Sequence, residues 1–453
     1  MENEVIYIAY FENKYNFVIN ITSTDNLKFM KSICTLILSL LILSGTMVAQ
    51  TFELGGQIRP RAEYRHGYRS LIGDDVKPGS LISQRTRLNM NYSTKLFMSN
   101  ISIQNVRVWG DVSSSNKSDL NSMMVHEAWG ELFLTKKISV KAGRQAIVYD
   151  DERLFGSSNW TQQGRSHDAL LVKFTQSKST AFHAGFAYNQ SADKDTGNYY
   201  TVNNYKALQY LWAHHEIKNL AISFLFANNG LPRNVVKDSL TIQEIKYTQT
   251  FGPYLTYKKG NFKINLAAYA QIGKNIKNVD KSAWYAGGDF GYTINKFTIG
   301  AGFQYFTGND QVNPGGKDHE FVTLYGTGHK FNGWIDYFYA GSSHKGVGLL
   351  DIYIPIIYKK DKLSAEFQLH YFQATATVKD LENPTSALSA VLGTEAGILL
   401  SYAFSPEMSI SGGYSQMFGS KTLQVLKGGN HENTQNWAWV MFTFNPTFYK
   451  SEK

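Results

Sequence analysis

From residue 51 to 448 the chain is written in segments of about ten residues whose side chains alternate in polarity, joined by connections that are by turns very short and very long. Successive side chains of a strand point to opposite faces. Arg85, Arg87, Asn89 and Asn91 therefore share one face, and Thr86, Leu88, Met90 and Tyr92 the other. Arg59, Arg61, Glu63 and Arg65 form a second polar face. Glu127 and Glu131 stand opposite Ala128, Gly130 and Leu132. A soluble sandwich has the same period, so the connections decide. The short set includes Ser93-Thr94-Lys95, Thr135-Lys136-Lys137, Lys218-Asn219 and Lys360-Asp361. The long set is 68–80, 111–121, 151–166, 190–205, 229–246, 274–281, 308–348, 375–391 and 418–435. Short turns at one end and long loops at the other describe a bacterial outer-membrane barrel, the short ones being periplasmic. Closure also removes the edges so long a sheet would expose. The pattern predicts an all-β fold: an antiparallel up-and-down transmembrane β-barrel of about 18 strands, with short periplasmic turns and long extracellular loops.

Composition agrees. The 28 Phe, 28 Tyr and 8 Trp exclude a disordered chain and suit pleated surfaces. One Cys excludes a disulfide scaffold. That Cys lies near the N-terminus, where residues 33–43 read ICTLILSLLIL behind Lys28 and Lys31. A basic flank, a short apolar core and small residues at the cut make a signal peptide, too short to span a bilayer. Acidic residues 1–29 do not fit ahead of it. The expected organisation is a mis-assigned start over 1–29, a signal peptide over 30–49 cut after Ala49, and a barrel over 50–453.

Eleven Arg occur, ten of them between Arg59 and Arg165. A guanidinium on the lipid face costs about 2–4 kcal/mol at mid-membrane. Arg59, Arg61, Arg65, Arg85, Arg87, Arg107 and Arg144 are therefore expected to face mostly inward. There they either line an anion path or pair with Glu63, Glu127, Glu131, Asp150 and Asp151 as a ladder of ion pairs. Arg153 and Arg165 are expected to order the 151–166 loop by pairing with Asp150, Asp151 or Asp168. The 308–348 loop carries Trp334 and four other aromatics within 331–340, and is expected to fold into the lumen and narrow it; a cap on the rim is the alternative. Trp129, Tyr149, Trp212, Tyr254, Tyr257, Trp437 and Trp439, near strand ends, read as interface girdles.

Gly143-Arg144-Gln145, Tyr149 to Gly156, Asn159-Trp160 and Gly164 to Ala169 together resemble a stretch of the alginate-export family of outer-membrane porins. Leu324 to Asp336 is similar to that family's long loop ahead of the last third. The resemblance implies an 18-stranded barrel whose arginine-rich constriction passes anionic polyuronate.

Other chemistry is sparse. The 11 His are dispersed, giving no metal site. His167 beside Asp168 is the one acid–base candidate, and neighbours on a strand face apart, so no enzyme and no cofactor are expected. The net charge of +9 suits an anionic saccharide or lipopolysaccharide at the surface rather than nucleic acid. The expected function is an outer-membrane channel passing anionic solutes or polysaccharide. The alternative is a non-conducting, loop-plugged barrel serving as a surface receptor or as a partner of a secretion or polysaccharide machine.

Overall fold

The computed structural model describes residues 50–115, 123–197, 199–339 and 345–451; the expected leader over 1–49 lies outside them. The strands are β1 Thr51–His66, β2 Gly79–Ser93, β3 Phe97–Val108, β4 Met124–Phe133, β5 Ile138–Gln145 and β6 His167–Ser177. Then follow β7 Thr180–Tyr188, β8 Ala207–Ile217, β9 Leu220–Lys237, β10 Leu240–Lys259, β11 Phe262–Lys274, β12 Asp280–Ile294 and β13 Phe297–Phe306. The last group is β14 Leu349–Lys360, β15 Leu363–Gln373, β16 Val391–Ser405, β17 Met408–Gly419, β18 Gln435–Phe444 and β19 Thr447–Lys450. From β1 to β18 each pairs antiparallel with its sequence neighbour, and β1 pairs with β2 on one side and with β18 and β19 on the other. β18 and β19 are two lengths of one stave, separated at Asn445-Pro446, where proline withholds a ladder donor. The sheet is thus a closed barrel of 18 staves.

The alternation sorts side chains as the sequence predicts. On β14, Ile352 and Ile354 are exposed outward at 48% and 46%, while Asp351 between the same strands' inner faces is 0% exposed. Ile58 and Tyr64 face outward on β1, and Arg59, Arg61 and Glu63 are buried within. An apolar exterior is what lipid requires, because nothing there can satisfy a polar group.

Two expectations fail. Residues 229–246 are not a loop: β9 and β10 remain paired to Lys237 and Leu240, around a two-residue turn at Asp238-Ser239 with positive φ at both positions. That is the backbone a tight hairpin needs. The neighbours stop pairing at Gly230 and Thr248, so the hairpin rises above the barrel. Nor do most of the named aromatics form a girdle. Trp437 and Trp439 are buried inside against Trp160, Tyr149 packs on Trp212, and Trp129 shares the inner face of Glu127 and Glu131. Tyr254 is half-buried on the inner parity of β10, and Tyr257 alone of the set faces outward. An inward indole keeps a partner for its N–H: Glu63 for Trp437, Asp150 for Trp212.

Candidate functional site

Arg59 on β1 stands directly across the ladder from Arg85 on β2, and Arg87 lies next to it opposite Gln57. Like charges facing each other across strands destabilise a sheet unless something satisfies both. The connection between β5 and β6, residues 146–166, supplies it. This segment turns into the barrel and lays five consecutive backbone carbonyls along the arginine wall. Asn159 O accepts from Arg59 at 2.8 Å and from Arg85 at 3.3 Å. Trp160 O accepts from Arg59 at 3.1 Å and from Arg61 at 3.0 Å. Thr161 O accepts from Arg59 at 2.9 Å and from Arg85 at 3.3 Å. Gln162 O takes a 3.5 Å bond from Arg85, and Gln163 O takes Arg87 at 3.3 Å and Gln104 at 2.9 Å. The Gln162 side chain adds an acceptor for Arg59 and a donor to Ser83. Arg61 also lies over the Trp160 ring, 4.4 Å from its centroid. Nη2 of Arg85 is buried and has no hydrogen-bond partner among the described residues.

The ion-pair ladder is much shorter than the sequence suggests. Among the described residues, Glu63 alone pairs with arginines of this wall, taking Arg61 and Arg65 at 2.9 Å each. Glu131 pairs with Lys173 at 2.9 Å and accepts from Ser139; Glu127 accepts from Trp129. Asp150 takes Trp212 and Ser223, and Asp151 receives the backbone N–H of Arg153. Arg153 and Arg165 do not pair with Asp150, Asp151 or Asp168. Arg153 is buried against Phe331 and bonds Asn332 and Gln304, while Arg165 donates to Gly326 O at 2.7 Å. Both thus tie their loop to the next one.

Arg107 and Arg144 are not on the inner face. Arg107 has the parity of Gln84, its cross-strand partner, opposite to Arg85. Arg144 has the parity of Val140 and Ala142 and pairs with Asp168 at 2.9 Å, their side chains 36% and 63% exposed. Both sit toward the extracellular ends of their strands. An arginine near the interface costs only about 0–1 kcal/mol.

The described residues of 307–348 also turn to the wall. Glu395 on β16 accepts the N–H groups of Trp334 at 2.5 Å and Ile335 at 3.0 Å. Asn332 donates to Asp351 and Gln304, and Asp336 takes His329, Tyr68 and Arg69. The two loops join each other. Phe155 bridges Tyr325, Thr327 bonds Glu152 and Ser158, and Trp160 stacks on His329 at 4.2 Å. Gln162, Gln104, Asn332, Asp351 and Glu395 also bond within or between the loops and the wall and are not among the residues expected from the sequence, although inward parity and charge mark Asp351 and Glu395. At the rim, burial alone would raise the Asp318 carboxyl. Asn309, Asn275 and the Lys281 ammonium outweigh it and hold the carboxyl at about 2.

An antiparallel barrel of this size, apolar outside, polar within and partly filled by loops from one rim, defines an outer-membrane channel rather than an enzyme. The chain belongs to the alginate-export family, whose model matches residues 51–341. A comparison with curated proteins finds no match. Among solved structures, Pseudomonas aeruginosa OccK9 (OpdG) aligns at 11% identity with a TM-score of 0.57, covering 88% of this chain and 98% of that one. OccK5 (OpdH) of the same organism aligns at 11% and 0.56, covering 88% and 99%. OpdO, also from it, aligns at 12% and 0.56, covering 88% and 98%. At such identity these likenesses concern the fold alone.

Proposed function

We propose that this channel conducts anionic solutes, carboxylate-bearing saccharides among them, along its β1–β2 wall. The observation that carries this is the imbalance of charge there. Arg59, Arg61, Arg65, Arg85 and Arg87 share one inner face with Glu63 as the acid bonded to them, and the remaining guanidinium bonds go to neutral oxygens. Hydrogen bonds satisfy donors without cancelling charge, so the wall's field stays positive. A cavity of about 440 Å³ opens between this wall and Trp160, with Arg61, Arg65, Arg69 and Arg107 on its lining beside Glu63 and Asp111. It gives an anion room to reach the arginines from the rim. The loops of 146–166 and 307–348 narrow the lumen between them.

Purified protein in a planar bilayer under a salt gradient tests this. The zero-current potential should report anion preference at low salt. That preference should fade toward 1 M, where the screening length shortens to about 3 Å. Arg61→Glu with Arg87→Glu should reverse the sign, whereas Arg144→Ala, on the outer face, should leave it unchanged. Cation preference in the unaltered channel would refute the reading. The plugged, non-conducting alternative is favoured by how widely the loops bond the wall, and it predicts no unitary current in any of these variants.

Export supplies the setting: a leader over 30–49, cut after Ala49, delivers the chain to the periplasm. Mass spectrometry of protein from outer membranes should find Gln50 first; peptides from 1–29 would overturn this.

A further inference from the structure

Five successive carbonyls are an unusual ligand for a column of arginines. A peptide segment in a folded protein ordinarily spends its carbonyls on its own secondary structure or on water. Here Asn159 to Gln163 turn against the wall so that each oxygen meets a guanidinium, those of Asn159, Trp160 and Thr161 all reaching Arg59, with Gln104 sharing the last. Gly164 makes the approach possible. Its φ is +68°, and a Cβ there would lie 2.8 Å from Nη2 of Arg87. The result is a neutral turn whose carbonyl acceptors cluster on Arg59 and Arg85 and reach Arg87, lying in a cationic trough.

We propose that residues 159–163 occupy the binding site of the permeant, standing in for a polycarboxylate chain that displaces them when it arrives. This rests on the anion-path reading and adds to it a specific site and a way of opening. Carboxylates take the place of the carbonyl oxygens, one after another, at Arg61 and Arg59, then Arg85, then Arg87. The exchange runs in that direction because an ionised acceptor forms hydrogen bonds roughly twice as strong as a neutral one, and takes a guanidinium bidentately. The unpartnered Nη2 of Arg85 offers the incoming chain a donor that the loop leaves unused. A single carboxylate replaces one or two bonds and leaves the segment tethered by the rest. A chain of them replaces the whole row. The segment is bonded to 307–348 through Phe155, Ser158 and Arg165, so its release loosens both loops together. The gate thus opens mainly to the class of solute that the channel carries; its brief unliganded openings pass salt ions, and neutral sugars do not lengthen them.

Gln162 allows a direct test. Its side-chain oxygen accepts from Arg59 at 3.0 and 3.2 Å. Gln162→Glu is nearly isosteric and puts a tethered carboxylate in the trough as a permanent competitor. Open probability is read in planar bilayers with tetragalacturonate, with the galacturonate monomer at equal carboxylate concentration, and with maltotetraose. The tetramer should raise the open probability of the unaltered channel. The monomer should do so less than a tenth as well, and maltotetraose not at all. Gln162→Glu should need about tenfold more tetramer for half-maximal opening. Gln162→Ala should open more often without any ligand. Trypsin resistance of each variant in detergent checks that the barrel has formed. The proposal is overturned if the tetramer leaves opening unchanged, if maltotetraose works equally well, or if Gln162→Glu responds at the original concentration. The zero-current potential separates the two levels. An anion-preferring channel that ignores the tetramer keeps the anion path and loses the displacement mechanism; a cation-preferring one loses both.

Discussion

On the β1–β2 wall, guanidinium groups meet a row of carbonyl oxygens. On the β14–β16 wall, carboxylates meet N–H groups, with Glu395 taking Trp334 and Ile335, and Asp351 taking the Asn332 amide. Each inward loop therefore offers the wall the polarity it lacks, yet carries no opposite charge at the point of contact. Both use a glycine at closest approach. Gly164 has φ +68° beside Arg87, and Gly333 has φ +83° where a Cβ would meet Glu395 Oε2 at 2.2 Å. The difference lies in sign and in burial. Glu395 is 1% exposed beneath its loop, whereas Arg65 and Arg87 keep contact with the lumen. Arg59, Arg61 and Arg85 are buried too, so one wall is sealed throughout and the other is open at its ends, Arg65 and Arg87.

The largest expected effect comes from Arg59→Met combined with Arg85→Met. Hydrogen bonds to charged groups contribute about 1.5–3 kcal/mol each. Losing both sets should free residues 159–163, raise conductance severalfold and abolish anion preference. Unchanged conductance would show that these bonds do not hold the loop. Glu395→Gln should act more weakly and with the opposite sign on selectivity: conductance rises, and anion preference rises with it, because an inward negative charge is gone. If it lowers anion preference, the contrast between the walls is wrong. Acid gives the smallest effect and confines it to one loop. Asp318 bonds Asn309 within its loop and Asn275 and Lys281 beyond it. Its carboxyl lies below the usual 3.8, so its contribution is complete above about pH 4 and is lost as pH falls toward about 2. Opening should therefore rise between pH 4 and pH 2 in the unaltered channel. In Asp318→Asn that rise should be absent, with the same opening already present at pH 7.

The staves were legible because lipid on one side and water on the other impose a two-residue period. Where that asymmetry ends, legibility ends. The upper β9–β10 hairpin rises past its neighbours and loses the lipid face, so Asn228-Asn229-Gly230-Leu231-Pro232 reads as a loop although its backbone stays paired. Arg144 was misplaced by applying the mid-membrane cost of an arginine at a height where it no longer holds, against the parity of Val140 and Ala142. The inward Trp129 could have been found by the same count, since it alternates with Glu127 and Glu131. The partners of the arginines could not. A backbone carbonyl is present at every position and leaves no letter in the sequence, so an acid such as Glu63 is legible as a partner and the row from 159 to 163 is not.

Glu63 has one more consequence, for how the molecule is assembled. Its carboxylate binds Arg61 and Arg65 on its own strand and also the indole N–H of Trp437, on the stave that closes the ring. Arg61 pairs there with Met441 and Arg65 with Trp437, contacts between the two ends of the chain. Joining distant ends is the slow step of such a topology, because loop-closure entropy is spent before any contact rewards it. Until the seam zips, Glu63 lacks its indole partner and the arginines beside it lack their final posture. Closure of the barrel and completion of the Glu63 cluster are then one event.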